Sequence, residues 1–256
     1  MRPRPPVNPI CAGNRKTRVP HVKKFKVIRS PALSAAENMA FDGELLRRYL
    51  GDGVPVFRVY RWKAPSFTYG VSQKPEGELD CGRCAVDGVE LSQRMTGGGV
   101  LFHHDEITYS FVCGKEDVGE PEGALVSYRE ICSFLVRFYG ALGLRADFAL
   151  EAPGFDELRA PHELCSASRE KYDLVVNGRK IGGNAQKRLR GVIFQHGSVP
   201  VSVDWQFVRR YAPSLPLDIA AQVTTLSEEL KTVPAKDELE DTLIGAFAEE
   251  FDGEPA

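Results

Sequence analysis

Strand-like runs and amphipathic helical stretches follow one another along this chain with no regular strand–helix–strand period, and that irregularity restricts its fold most. A doubly wound parallel sheet needs a crossover helix after nearly every strand. Here VPVFRVYRW (54–62) and SFTYGVSQ (66–73) come in direct succession. VELSQRM and VLFHHDEITYSFVC then lie on either side of three glycines, Gly97, Gly98 and Gly99. KFKVIRS, KYDLVV, RKIGGNAQKR and GVIFQHGSVPVSV also read as strands. Asn177 and Gly178 form the dipeptide of a tight type I′ hairpin turn. SAAENMAFDGELLRRYL reads as a helix with Ser34 and Glu37 at capping-box spacing. SYREICSFLVRFYGALGL reads as a second helix ending near Gly143, and shorter helical stretches lie around Thr225–Leu230 and Lys236–Phe251. The expected class is α+β, with mixed, largely antiparallel β-sheets flanked by helices. No repeat or linker divides the chain, so 25–256 is expected to be a single domain.

Charge is distributed unevenly. Nine of the 33 basic residues and no acidic residue fall within positions 1–30, which leaves 24 basic against 35 acidic side chains. An acidic body does not suit nucleic acid. Residues 1–24, rich in proline and poor in apolar periodicity, are expected to form a disordered basic tail. No apolar run reaches the roughly 18 residues of a membrane span, and the tail does not read as a secretory signal. Six scattered cysteines suit reduced thiols in the cytoplasm.

Two cysteines, Cys81 and Cys84 in CGRC, have metal-ligand spacing, but no second pair completes a zinc set. They are expected on an exposed turn with no metal. Cys113 and Cys132 sit in apolar runs and read as core. Cys165 differs: it lies in the polar segment PHELCSASREKYD, fifteen residues before Lys180 and three after His162. A cation beside a thiol lowers its pKa and makes it a nucleophile, with His162 as a candidate base. A surface cysteine and a surface lysine remain the alternative. Glycine triplets suit turns, but they also let a ligand approach bare backbone. Gly182 and Gly183, directly after the lysine strand, offer a second such place. Together these features outline an acyl-transfer site in which backbone N–H groups face a developing oxyanion. No Walker-type loop is present.

Four blocks together resemble the lipoate–protein ligase and octanoyltransferase family, which shares its fold with biotin protein ligases. They are ENMAFDGELL, QRMTGGGVLFHHDEITYSFV, YDLVVNGRKIGGNAQKR and GVIFQHGSV, spanning roughly Ser34 to Val201. The resemblance implies a biotin/lipoate protein ligase-like catalytic domain. CSASREKYDLVVNGRK is similar to the cysteine-dependent octanoyltransferase branch, which implies catalytic roles for Cys165 and Lys180. It implies substrate-binding roles for Arg94, Thr96, Gly97, Gly98, Gly99, His103, Gly182, Gly183 and Gln186. The implied reaction moves octanoyl from acyl carrier protein to a lysine of a lipoyl domain, such as the glycine cleavage H protein. An acyl-cysteine is the intermediate, and neither cofactor nor metal takes part. The basic run Lys187, Arg188 and Arg190 would steer the acidic carrier, unless it is only a solvated face. Two positions depart from the pattern. His104 separates His103 from Asp105, and Gly99 stands where this branch often has arginine, glycine there being more ligase-like. An ATP- and magnesium-dependent ligase, an octanoyl amidotransferase and a non-catalytic acyl-binding relative therefore stay open.

Overall fold

The computed structural model describes residues 25–119, 121–152 and 172–251. The first half runs β1 (Lys26–Arg29), α1 (Ala35–Asp52), β2 (Val56–Tyr60), β3 (Ser66–Tyr69), α2 (Cys81–Asp87), β4 (Glu90–Gln93), β5 (Leu101–His103) and β6 (Glu106–Gly114). There follow α3 (Ala124–Ala141), β7 (Ala146–Phe148), β8 (Leu174–Val176), β9 (Arg179–Ile181), β10 (Gly183–Leu189) and β11 (Val192–Pro200). The last described stretch holds α4 (Trp205–Arg209), α5 (Ile219–Gln222), β12 (Val223–Thr224), α6 (Leu226–Glu229) and α7 (Lys236–Phe251).

Three sheets result, with orders β1-β2-β6-β11-β10, β12-β9-β8-β7 and β4-β3-β5. Among the described strands, β1–β2, β12–β9 and β3–β4 pair in parallel and the other pairs are antiparallel. The mixed, largely antiparallel α+β class is therefore what the chain adopts.

The largest sheet has two different faces because side chains alternate along a strand. Phe57, Val59, Ile107, Tyr109, Phe111, Cys113, Ile193 and Val199 belong to the main core with α3 and α7. Phe57 stacks on Phe247 of α7 at 3.9 Å and meets Phe134 of α3 edge-on at 5.6 Å. The alternate positions Arg58, Tyr60, Glu106, Thr108, Ser110, His196 and Ser198 are polar, yet all are buried. Many of their partners come from α1, which lies over this face. Ser34 and Glu37 cap α1 reciprocally, and Gly53 ends it in the left-handed region at φ 65°.

The Asn177–Gly178 turn is as expected: both residues have positive φ, 50° and 76°, and close the β8–β9 hairpin. Two expectations are corrected. CGRC is not an exposed turn but opens α2, capped by Asp80, whose carboxylate accepts from the Arg83 N–H at 2.9 Å. Cys84 is fully buried in the core of the three-stranded sheet, and burial pushes its thiol up to about 11. The VLFHHDEITYSFVC stretch also divides: β5 joins the three-stranded sheet and β6 the five-stranded one.

Candidate active site

Lys180 sits in β9, paired with Val175 of β8 on one side and Val223 of β12 on the other. It is buried, and its Nζ lies 2.8 Å from the carboxylate of Asp173, itself buried just ahead of β8. After Ile181 the chain leaves this sheet and enters the five-stranded one at Gly183, opposite Ser198 of β11. Gly182 makes the crossing at φ +79°, and a Cβ there would lie 2.1 Å from the Ser198 carbonyl oxygen. Glycine is required at that position for both reasons.

A cleft opens at this crossing, with about 470 Å³ of empty space, part of it open to solvent. Leu101, Phe102, Pro200, Val203, Trp205 and Val223 give it apolar walls. Lys180, Glu106, Ser198, Thr224 and Thr225 bring polar groups to it. Gly182 and Gly183 line it too. The indole Nε1 of Trp205 is buried without a hydrogen-bond partner among the described residues. An apolar slot with a buried cation suits a fatty chain carrying a polarisable carbonyl.

Glu106 anchors the floor. Its Oε1 accepts from Trp62 Nε1 at 3.0 Å and contacts His103 Nδ1 at 2.9 Å, and the Thr108 hydroxyl donates to it as well. Its Oε2 accepts from Ser198 Oγ at 2.6 Å. Burial alone would raise the Glu106 pKa, but His103 and the Ser198 and Thr108 hydroxyls outweigh it and hold the carboxyl below its ordinary value. His103 stacks on Trp62 at 4.0 Å, and its Nε2 meets Thr68 Oγ1 at 2.7 Å. Both of its ring nitrogens are therefore engaged within the protein.

Arg94 reaches the same network. Its Nη1 donates to Thr68 Oγ1 at 2.9 Å, and its Nη2 to the carbonyls of Gly97 and Gly99 at 3.2 and 2.7 Å. The triple-glycine loop is thus clamped from below. A Cβ on Gly70 would lie 2.0 Å from the Gly98 carbonyl oxygen, so a glycine just past the end of β3 lets the loop pack. Gly97, Gly98 and Gly99 do not themselves line the cleft; Leu101 and Phe102 of the same segment do. Open space surrounds the position of a Cβ on Gly97.

Thr96 contacts His196 Nε2 at 2.8 Å through its hydroxyl. His196 lies 3.9 Å from Asp42, which also pairs with Arg58 at 2.9 Å and accepts from Ser110 and Tyr60. Burial holds His196 below its ordinary pKa, with Arg94 and His103 adding to the effect against the pull of Asp42. Burial works the other way on Asp42, but His196 and Arg58 outweigh it and keep the carboxyl low. Gln186 faces away from this layer, accepting from Ser127 of α3 at 2.8 Å and donating to Gln195 at 2.9 Å. Lys187, Arg188 and Arg190 lie on or just beyond β10, which ends the five-stranded sheet. Cys165 and His162 lie outside the described residues.

Of the residues singled out in the sequence, the structure brings Lys180, Gly182 and Gly183 to one cleft and Arg94, Thr96 and His103 to the layer behind it. Sequence reasoning missed Glu106, Ser198, Asp173, Trp205 and Asp42. The available signal was the alternation E-T-S in β6 and H-S in β11 between apolar residues, which also describes a solvated strand face.

The same stretch of chain is matched in known proteins. Residues 34–248 match the model of the lipoyl protein ligase A/B catalytic domain. A protein of Oceanobacillus iheyensis named octanoyltransferase LipM is 34% identical over 183 residues, covering 71% of this chain and 66% of its own length. A protein of the same name from Symbiobacterium thermophilum is 35% identical over 225 residues, covering 83% and 81%. Among solved structures, lipoate-protein ligase A bound with ATP superposes with a TM-score of 0.72 at 22% identity, over 92% of this chain and 87% of that one. A bi-partite lipoate protein ligase from Thermoplasma acidophilum gives 0.71 at 20% identity, over 92% and 86%. At these identities the structures speak for the fold alone.

Proposed function

The chain belongs to the lipoyl protein ligase A/B catalytic-domain family, and on that premise we propose that it is an acyltransferase, an octanoyltransferase of lipoate biosynthesis. The observation that carries this reading is Lys180, buried against Asp173 at an apolar cleft. The relatives named octanoyltransferase support it.

The proposed donor is an octanoyl thioester of acyl carrier protein, and the proposed acceptor is a lysine of a lipoyl domain such as the glycine cleavage H protein. Cys165, as thiolate, attacks the thioester carbonyl, and the carrier thiol leaves. Lys180 donates to the carbonyl oxygen as charge gathers there. The acceptor amine then displaces Cys165 and leaves as an octanoyl amide. The first step trades one thioester for another. The second runs downhill to an amide, so neither ATP nor a metal is required. The apolar walls hold the chain, and Gly182 and Gly183 let it lie against backbone. Arg94 and His103 act by fixing the loop and the floor, and Gly97 leaves room where the donor arm enters. Lys187, Arg188 and Arg190 steer the acidic carrier.

The test is an ATP-free assay with octanoyl-acyl carrier protein and unmodified H protein. Intact mass should show an octanoyl adduct on the wild type, absent in Cys165→Ala, and amide formation should follow. Lys180→Ala should lose adduct and transfer by at least ~100-fold, about 2.7 kcal/mol of transition-state stabilisation. Normal transfer by Cys165→Ala would remove the covalent step. Strict dependence on ATP and free acid would make the chain a ligase instead.

A further inference from the structure

We infer that Ser198 receives the attacking amine: its hydroxyl oxygen accepts a hydrogen bond from the acceptor lysine while Lys180 holds the acyl oxygen from the opposite wall. The inference rests on the transfer reading above and assigns a residue to its second step. It starts from a proton count. A serine hydroxyl has one proton to give and two lone pairs to offer. Ser198 is buried and gives its proton to Glu106 Oε2 at 2.6 Å. Glu106 is held in place by three other donors, from Trp62, His103 and Thr108. With that carboxylate fixed, the hydroxyl can offer a ligand only its lone pairs. Ser198 and Glu106 both line the cleft. A ligand group meeting Ser198 there must therefore be a donor, and a thioester has none.

The two walls divide the chemistry. Lys180 belongs to the four-stranded sheet and Ser198 to the five-stranded one, and the two sheets are joined at the Gly182 crossing, where β9 passes into β10 and Gly183 pairs with Ser198. One wall presents N–H donors and suits the acyl oxygen. The other presents an acceptor backed by a carboxylate, which suits an N–H group gaining positive charge. An amine adding to a thioester needs both at once, on different sides of the carbonyl carbon.

The acceptor lysine arrives as the neutral amine, its ammonium proton already lost to water. Its lone pair forms the C–N bond, the C–S bond breaks, and its electrons leave on sulfur. The surplus amine proton ends on the departing thiolate. The Ser198 proton stays on the bond to Glu106 throughout, so the serine orients the amine and polarises it without exchanging a proton.

The experiment separates the two half-reactions in the full-length chain. Wild type, Ser198→Ala and Ser198→Thr are loaded from octanoyl-acyl carrier protein, desalted, and chased with unmodified H protein, with both steps followed by intact mass. Ser198→Ala should slow the chase at least tenfold more than it slows loading. Ser198→Thr, which can make the same bond to Glu106, should recover most of the chase. An alanine variant that chases at the wild-type rate overturns the inference. So does an equal loss in both steps that threonine fails to restore, since that marks a purely structural role. A wild-type chain that neither loads nor transfers overturns the functional reading as well, and so the two failures are told apart.

Discussion

Gly182 and Gly97 look alike in sequence and differ in what surrounds them. At Gly182 the backbone is left-handed and an added Cβ would strike the Ser198 carbonyl. Gly182→Ala is therefore expected to lose at least about 2 kcal/mol of stability, read from the urea midpoint. Gly97 is exposed and a Cβ there would meet open space. Gly97→Ala is expected to stay within about 0.5 kcal/mol of wild-type stability while loading octanoyl more slowly. A Gly97→Ala protein that loads normally would leave that glycine as a feature of the turn. Cys84 teaches the same lesson from the other side. Its spacing from Cys81 suggested a ligand pair, but its environment is apolar core and its thiol is held protonated.

At the scale of elements, α1 links the sequence to the site. Its capping box was legible from Ser34 and Glu37, and the structure contains both reciprocal hydrogen bonds. The helix carries Asn38 and Asp42 inward, one turn apart, where both bind Arg58. Ser34→Ala is expected to cost about 1 kcal/mol of stability, a fall in thermal midpoint of a few degrees. The hairpin at Asn177–Gly178 was equally legible, because only a few dipeptides tolerate positive φ twice in succession. The polar face of β6 and β11 was not. Alternating polar residues describe a solvated strand and a buried polar layer equally well, and only the position of α1 and the 94–103 segment decides between them. The CGRC segment failed for a related reason: four residues do not show whether a capped helix starts at Asp80.

For the molecule as a whole, the buried polar layer links stability to pH. His196 has a folded pKa below its ordinary value, so the unfolded chain binds the extra proton more readily. Its contribution is complete above roughly pH 6.5 and is lost as pH falls toward the folded value. Asp42 and Glu106 are also held low, so their contribution is present above about pH 4 and disappears as pH falls through their folded values. Urea midpoints are therefore expected to decline from pH 7 to pH 5 and fall faster below pH 4. His196→Gln should flatten the upper part of that curve, and an unchanged slope would remove His196 from the account. The crossing at Gly182 has a consequence for motion. The cation belongs to one sheet and the hydroxyl to the other, and a single side-chain-free residue is the link by which the chain passes from the first sheet, at β9, into the second, at β10. Any flexing of one sheet against the other then works like tweezers, widening the gap to admit a fatty tail and narrowing it to press the two reacting partners together.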